Sequence, residues 1–439
     1  MPNTYYVDNA LFAGHAEGTA RDAYSTTIQL AAEASSENDA YNNYGIWIVS
    51  GTGAGQSRRI TDYNGTTQFA IVSAWTITPD DTSVYEITVG ADDNSGANEG
   101  TGSTGAFRTW QKALDTVAAG DTVNIKAGRA YAEAADLKTA GTLAANVQLR
   151  GYKTTPHDWL SHLLANPTLL PNDPVWDQYR AKLSGLSLTT SIVATQIYYV
   201  LESLWIDGVA AAPAFTLVKD KITALNCRGS NSLLGFGCAS ATSGGRGFYC
   251  VADNNSVIGF ASSWDLQACQ SLNNGADGVS TYTRGSVQNC IIAGNTGKCI
   301  DATAGLSGPV AGNTLVGNTG AAGEIGLNVN ESTGAVTILN NLFVGLSQGI
   351  VGVAAVDQAC HVVACNGFFD VDTPRVDFPE GFGDIEGADP GFVDPDNGDY
   401  RLRYDSPARG KGWPAYLDIG ALQRREVATH RPINLGVQV

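Results

Sequence analysis

Three sets of residues in this chain could do chemistry: carboxylates and bases for proton transfer, cysteines for metal or redox work, and aromatics for stacking on a ligand. Hydrolysis of a glycosidic bond needs two carboxylates at a set separation. The candidate acids are Glu202, Asp207, Asp220, Asp253, Asp277, Asp301 and Glu324, with Arg246 and Arg284 as bases. They do not repeat in register. Asp277 precedes Gly278, but the matching position one repeat later is Lys298. Asp253 falls three residues after Cys250, where the next repeat carries Leu272. Glu202 and Asp207 share one segment, LESLWIDG. Lone carboxylates of this kind read as solvated surface groups, and no catalytic residue is assigned.

The chain has 8 cysteines and no CxxC pair. Cys360 and Cys365 lack a second pair, and His361 beside them reads as a strand residue, so neither a metal site nor a cofactor is expected. The cysteines do something else. Cys227, Cys250, Cys269 and Cys290 recur at nearly even steps in LNCRGSN, FYCVADNN, QACQSLNN and QNCIIAGN. The text continues with asparagine in that slot at Asn313 and Asn341, and Cys365 in VACNGFF restores cysteine. A second column runs in phase, from Gly235-Phe236 through Gly259-Phe260, Gly278-Val279, Cys299-Ile300 and Gly326-Leu327 to Gly349-Ile350. A fixed period of twenty or so residues marks a stacked repeat. Short β-branched runs with Gly and Asn corners predict an all-β chain, a right-handed parallel β-helix whose equivalent residues form ladders. Small apolar cysteine suits an inward ladder. Asn255, Asn274, Asn295 and Asn318 suit a tight bend that needs left-handed backbone. Among the aromatics, Trp205, Trp264, Tyr282 and Trp413 could stack on sugar rings, and half or more of them could equally be core or cap residues.

Residues 1–90 read as a separate small antiparallel β module with strand-like runs near 25–30, 45–50, 56–61, 67–73 and 83–89. Asn64-Gly65 signals a hairpin. GTGAGQ reads as a loop between strands and not as a phosphate cradle, since no Lys-Ser/Thr follows it. Residues 91–105 form a Gly-, Asn- and Ser-rich linker. The β-helix spans 106–422. It opens on a short helix with Phe107, Trp110, Leu114 and Val117 on one face, and a loop excursion near 153–185 breaks its period. Residues 423–439 form a tail. The formal charge of −17 argues against nucleic acid as a partner. No apolar run is long enough to insert in a membrane, and the N-terminus lacks a secretory pattern.

Two resemblances follow from these residues. FRTWQKALDTVAAGDTVNIKAG and DPGFVDPDNGDYRLRYDSPARGKG with LDIGAL resemble the opening and closing coils of the pectin-lyase-like superfamily. Lyases of that superfamily imply clustered Asp holding Ca²⁺ beside a basic residue that abstracts the C5 proton. Residues 46–87 are similar to a β module of phage structural proteins. Together they imply a virion protein made in the host cytoplasm, either a spike or a capsid-decoration protein. The implied state is a homotrimer that joins other virion proteins through residues 1–90 and contacts host surface polysaccharide. The competing expectations are a β-helix polysaccharide lyase or glycoside hydrolase, and a bacterial surface adhesin. Near-equivalent geometry along the ladder singles out no disulfide pairs. Protein denatured and alkylated without reductant should therefore take close to one label per cysteine by mass, and a mass short by several labels would show pairing.

Overall fold

The computed structural model describes residues 2–8, 14–88 and 106–422. Short segments of the coils lie outside the described residues, among them 185–187, 190–197, 209–212, 218–221, 239–244, 282–284, 303–305, 319–323, 330–335 and 353–360. So do 9–13, 89–105 and 423–439, which include the linker and the tail.

Short runs such as Val-Asn-Ile (123–125) and Val-Gln-Leu (147–149) turn every second side chain inward, and each strand lies parallel to its equivalent one coil away. The result is a right-handed parallel β-helix of about 8 turns. One wall is an 11-stranded parallel sheet that runs from Thr4–Val7 through Thr122–Lys126 and Val147–Tyr152 to Val362–Ala364. The other sides form a 19-stranded sheet. The core between them is continuous and apolar. It includes a column of near-parallel rings, Phe215 on Phe236 at 4.5 Å and Phe236 on Phe260 at 4.8 Å. The Gly-Phe column of the sequence lies in register from Phe236 through Phe260, Val279, Ile300 and Leu327 to Ile350.

One corner defines the coil. A residue with positive φ turns the chain, and the next residue points inward. The turning positions are Ser203, Asn226, Tyr249, Ala268, Asn289, Gly312, Asn340 and Cys365, with φ from 52° to 64°. The inward positions are Leu204, Cys227, Cys250, Cys269, Cys290, Asn313, Asn341 and Asn366. The four cysteines, Asn313 and Asn341 thus stack as expected, and all are buried. Cys365 does not join them. Gly367 pairs with Leu342, so the ladder continues at Asn366 and Cys365 takes the left-handed slot. The matching text is CN over NN, which alignment by cysteine alone misplaces by one residue. The second corner carries the same correction. Asn255, Asn274 and Asn295 are the buried inward partners, while the positive φ sits one residue earlier at Asn254, Asn273 and Gly294. Asn318 follows in register but is exposed.

The ladder amides bond along the stack. Asn341 Oδ1 accepts the Asn313 backbone N–H at 3.1 Å and its Nδ2 at 2.9 Å. Asn341 Nδ2 donates to Val310 O at 2.8 Å. Asp384 ends the ladder by accepting the Asn366 N–H at 2.8 Å. The thiols of Cys227, Cys250, Cys269, Cys290, Cys299 and Cys365 are unpaired, and burial raises the pKa of five of them, those of Cys227, Cys250, Cys269, Cys299 and Cys365.

The entry end of the solenoid is closed. The helix Trp110–Thr116 is capped by Thr109, whose side chain accepts the Lys112 N–H, and it buries Trp110 and Leu114 against the first coil. Phe107 is not on that helix. It bridges to Val7, and strand Thr4–Val7 pairs in parallel with Thr122–Lys126. Thr4–Val7 therefore supplies the edge rung of the 11-stranded sheet, and the antiparallel module is narrower than 1–90, running from Gly14 to Thr88. At the far end Arg375 lies 4.6 Å over the Phe368 ring and is held by Asp384 and Glu386.

The module is a 7-stranded sheet. Gly51, Gly53 and Gly55 all have positive φ in the loop joining Gly45–Ser50 to Ser57–Asn64. The Asn64-Gly65 hairpin forms, with Asn64 Oδ1 accepting from Thr66 and Thr67, but the left-handed residue is Gln68. Gly65 is required for a different reason, because a Cβ there would meet the Ser36 backbone at 2.4 Å.

The corner columns make opposite predictions. Asn341→Ala leaves a buried N–H and a buried carbonyl without partners and should cost about 2–3 kcal/mol in urea unfolding. Ala268→Gly relieves a left-handed alanine and should cost nothing or stabilise by up to about 1 kcal/mol. Equal effects of the two would refute the corner assignment.

Candidate functional site

The structure separates the stacking aromatics. Trp264 is completely buried, edge-on to Phe236 and Phe260, and is a core residue with no surface to offer a glycan. Its neighbours Gly245 and Gly247 leave the room that its large side chain fills. Trp205 projects outward, but Lys182 Nζ lies 3.9 Å from its ring and the Arg228 guanidinium 4.6 Å from it. These residues are one rung before and one rung after it, so both ring faces are occupied by cations and no sugar can stack there. Tyr282 lies outside the described residues. Trp413 is 60% exposed, with its backbone held by Asn340.

The cations around Trp205 belong to a network. Lys182 pairs with Asp207 at 2.7 Å. Arg228 grips Asp253 through two bonds at 3.0 and 2.7 Å and also reaches Asp177. Burial alone would lower the pKa of Arg228, and these carboxylates overcome it. Asp207 is likewise held below its ordinary range despite burial, by Lys182, Asn231 and Ser230.

Of the remaining candidate acids Glu202 fastens the excursion, together with groups that were not candidates, and Asp220 lies outside the described residues. The excursion spans a helix, Asp158–Ala165, and a 3-10 turn, Pro174–Gln178, and rejoins the sheet at Ala181–Ser184. Glu202 is buried beneath it. Its Oε1 lies 2.7 Å from His157 Nδ1 and accepts from Trp159 Nε1 at 2.6 Å, and Arg150 faces its other oxygen at 3.2 Å. Arg180 is completely buried. It donates to Pro171 O, Asn226 O and Asn226 Oδ1, and burial pulls its pKa down to about 10. Tyr249 Oη donates to Leu169 O, and Asn172 N–H donates to Gln270 Oε1. Nothing in the sequence marks Arg180 or Glu202 for this work, because the partners lie 46 and 43 residues away.

Asp277, Asp301 and Glu324 form no column, as the sequence implies, but they gather at one corner across neighbouring rungs. Asp277 accepts the Lys298 N–H at 2.8 Å, and Lys298 Nζ pairs with Asp301 at 2.8 Å. Glu324 accepts the Asn318 N–H at 2.8 Å. Burial raises both Asp277 and Glu324, and these backbone bonds oppose it. Arg246 is exposed with Asp265 as its in-register neighbour, and Arg284 lies outside the described residues. Among the described residues no group of three His, Cys, Asp or Glu side chains is placed to hold a metal ion.

The C-terminal segment folds back over the outer face of the larger sheet. Phe392, Ala408 and Ile419 pack on Leu342 and Phe369, and Ala421 N–H donates to Thr314 Oγ1. Where this segment approaches the excursion a cleft of 330 Å³ remains. Leu169, Leu170, Asp173 and Pro174 line one wall, and Asn397, Asp399 and Arg401 line the other.

With this geometry established, the relatives can be placed. No family model matches the chain, and no curated protein matches it. Among solved structures, the crystal structure of pectate lyase Pel9A is similar over 75% of this chain and 94% of that chain, with a TM-score of 0.55 and 13% identity. At that identity the likeness establishes a pectate-lyase-like β-helix fold and nothing about activity.

If Glu202 is a fastener, Glu202→Leu should release the excursion while the solenoid stays folded. Limited proteolysis should then cut within 153–180 at least several-fold faster, with far-ultraviolet dichroism unchanged. Wild-type protection of that segment would refute the role.

Proposed function

We propose that this chain is a non-catalytic β-helix of a bacteriophage particle, a surface spike or capsid-decoration protein that contacts host glycans. The observation that carries this reading is the commitment of the carboxylates. Glu202, Asp207, Asp253, Asp277, Glu324 and Asp384 each bond a cation, a ring N–H or a backbone N–H that ties rungs or turns together. Such acids are poorly available for the paired acid and base work of glycoside cleavage. The resemblance of residues 46–87 to phage structural proteins, within the module at 14–88, supports particle attachment. Stiff stacked coils with broad sides suit a closed homotrimer.

The competing reading, a polysaccharide lyase, is favoured by the fold shared with a pectate lyase. Two experiments decide between them. Replacing residues 14–88 by a short linker keeps the Thr4–Val7 rung, so the body should fold but be absent from purified particles imaged by electron microscopy. Particles that still carry it would show that the module is not the anchor. Full-length protein should release no unsaturated product from polygalacturonate, and steady release would establish the lyase instead.

A further inference from the structure

We infer that the cleft between the excursion and the C-terminal hairpin is a binding site for a neutral saccharide. This deepens the glycan-contact reading above and rests on it.

The cleft volume of 330 Å³ falls within the range of small-ligand sites. Its walls come from the two segments that depart from the repeat, and both are pinned to one rigid floor. Asn172 N–H donates to Gln270 Oε1 at 2.7 Å on one side. On the other side Tyr400 packs in one apolar cluster with Ile291 and Ala293, together with Leu170 of the excursion. Gln270, Ile291 and Thr314 are successive rungs of the same column, so the cleft is formed before any ligand arrives.

The lining has two characters. Leu169, Leu170 and Pro174 present carbon surface, which suits the C–H face of a sugar ring. Asp173, Asp399 and Arg401 present charged-group hydrogen bonding, which suits vicinal hydroxyls. Charge then decides the class of sugar. Arg401 is engaged by Asp399 through two bonds, at 2.8 and 2.5 Å. Asp173 spends one oxygen on the Val175 N–H at 3.0 Å and has no cation partner among the described residues. The cleft therefore carries a net negative charge on a chain that is itself at −17. A uronate would be repelled, while a neutral sugar donates its hydroxyl hydrogens to the carboxylates at no such cost.

The test is retention of the full-length chain on neutral malto-, cello- and galacto-oligosaccharides against oligogalacturonate. Binding to at least one neutral series is expected, with none to oligogalacturonate. Asn397→Trp, a change on the exposed hairpin, should fill the cleft and weaken that binding more than tenfold. Asp173→Asn keeps the turn-capping oxygen and should weaken it several-fold. Unchanged thermal unfolding of both variants would show that the effect is local. Retention of oligogalacturonate alone, no retention of any neutral series, or neutral binding unaffected by Asn397→Trp would each overturn the assignment. None of these outcomes depends on whether the protein joins particles, so the site and the particle role fail separately.

Discussion

The structure depends on how each coil turns its corner without leaving backbone polar groups unbonded. A left-handed residue makes the turn, and the buried residue after it must supply acceptors to the rung before. Asparagine does this most fully, because its carbonyl oxygen accepts a backbone N–H and its amide donates onward. Cysteine does it more weakly, with the sulfurs of Cys269 and Cys290 accepting from the backbone N–H groups of Cys250 and Cys269 at 3.4 Å. The change from Cys to Asn after Cys290 thus exchanges apolar filling for stronger bonds along one continuous stack. Asp384 can end that stack because a carboxylate accepts without needing to donate further, and Arg375 balances its charge.

How much was legible follows from which interactions are periodic. The ladders from Cys227 to Asn341 and from Phe236 to Ile350 were readable because each coil repeats one solution to one packing problem. Cys365 was misplaced because residue type outweighed register in a segment reading Cys-Asn. Trp264 stays open in the sequence between a surface ring and a core residue, because a single aromatic just before the short strand Asp265–Gln267 does not reveal which way it faces. Trp205 faces outward, yet the two cations on its faces come from coils 23 residues before and after, at a distance where local text carries no signal. The N-terminal rung was invisible for the same reason, since Thr4–Val7 meets its partner across the whole module.

A β-helix gives its polar groups two kinds of work, tying coils together and meeting partners. In this chain the deeply placed ones do the first. Arg180, Glu202 and Arg228 hold an excursion that would otherwise expose the outer face of several coils. Buried ions of this sort contribute little net stability compared with apolar packing, but removing one partner strands the other. What they secure is the position of a surface segment. The cleft is the by-product of two such coverings that approach without meeting.

The placement of Thr4–Val7 also constrains the order in which the molecule can be made. Thr4–Val7 leaves the ribosome 118 residues ahead of the strand with which it pairs. At ordinary rates of translation that is a wait on the order of ten seconds. During that interval the antiparallel module can complete itself, while Thr4–Val7 waits for Thr122–Lys126. The rung is therefore laid in place only after the coil it covers has emerged, as a keystone cut early and set late.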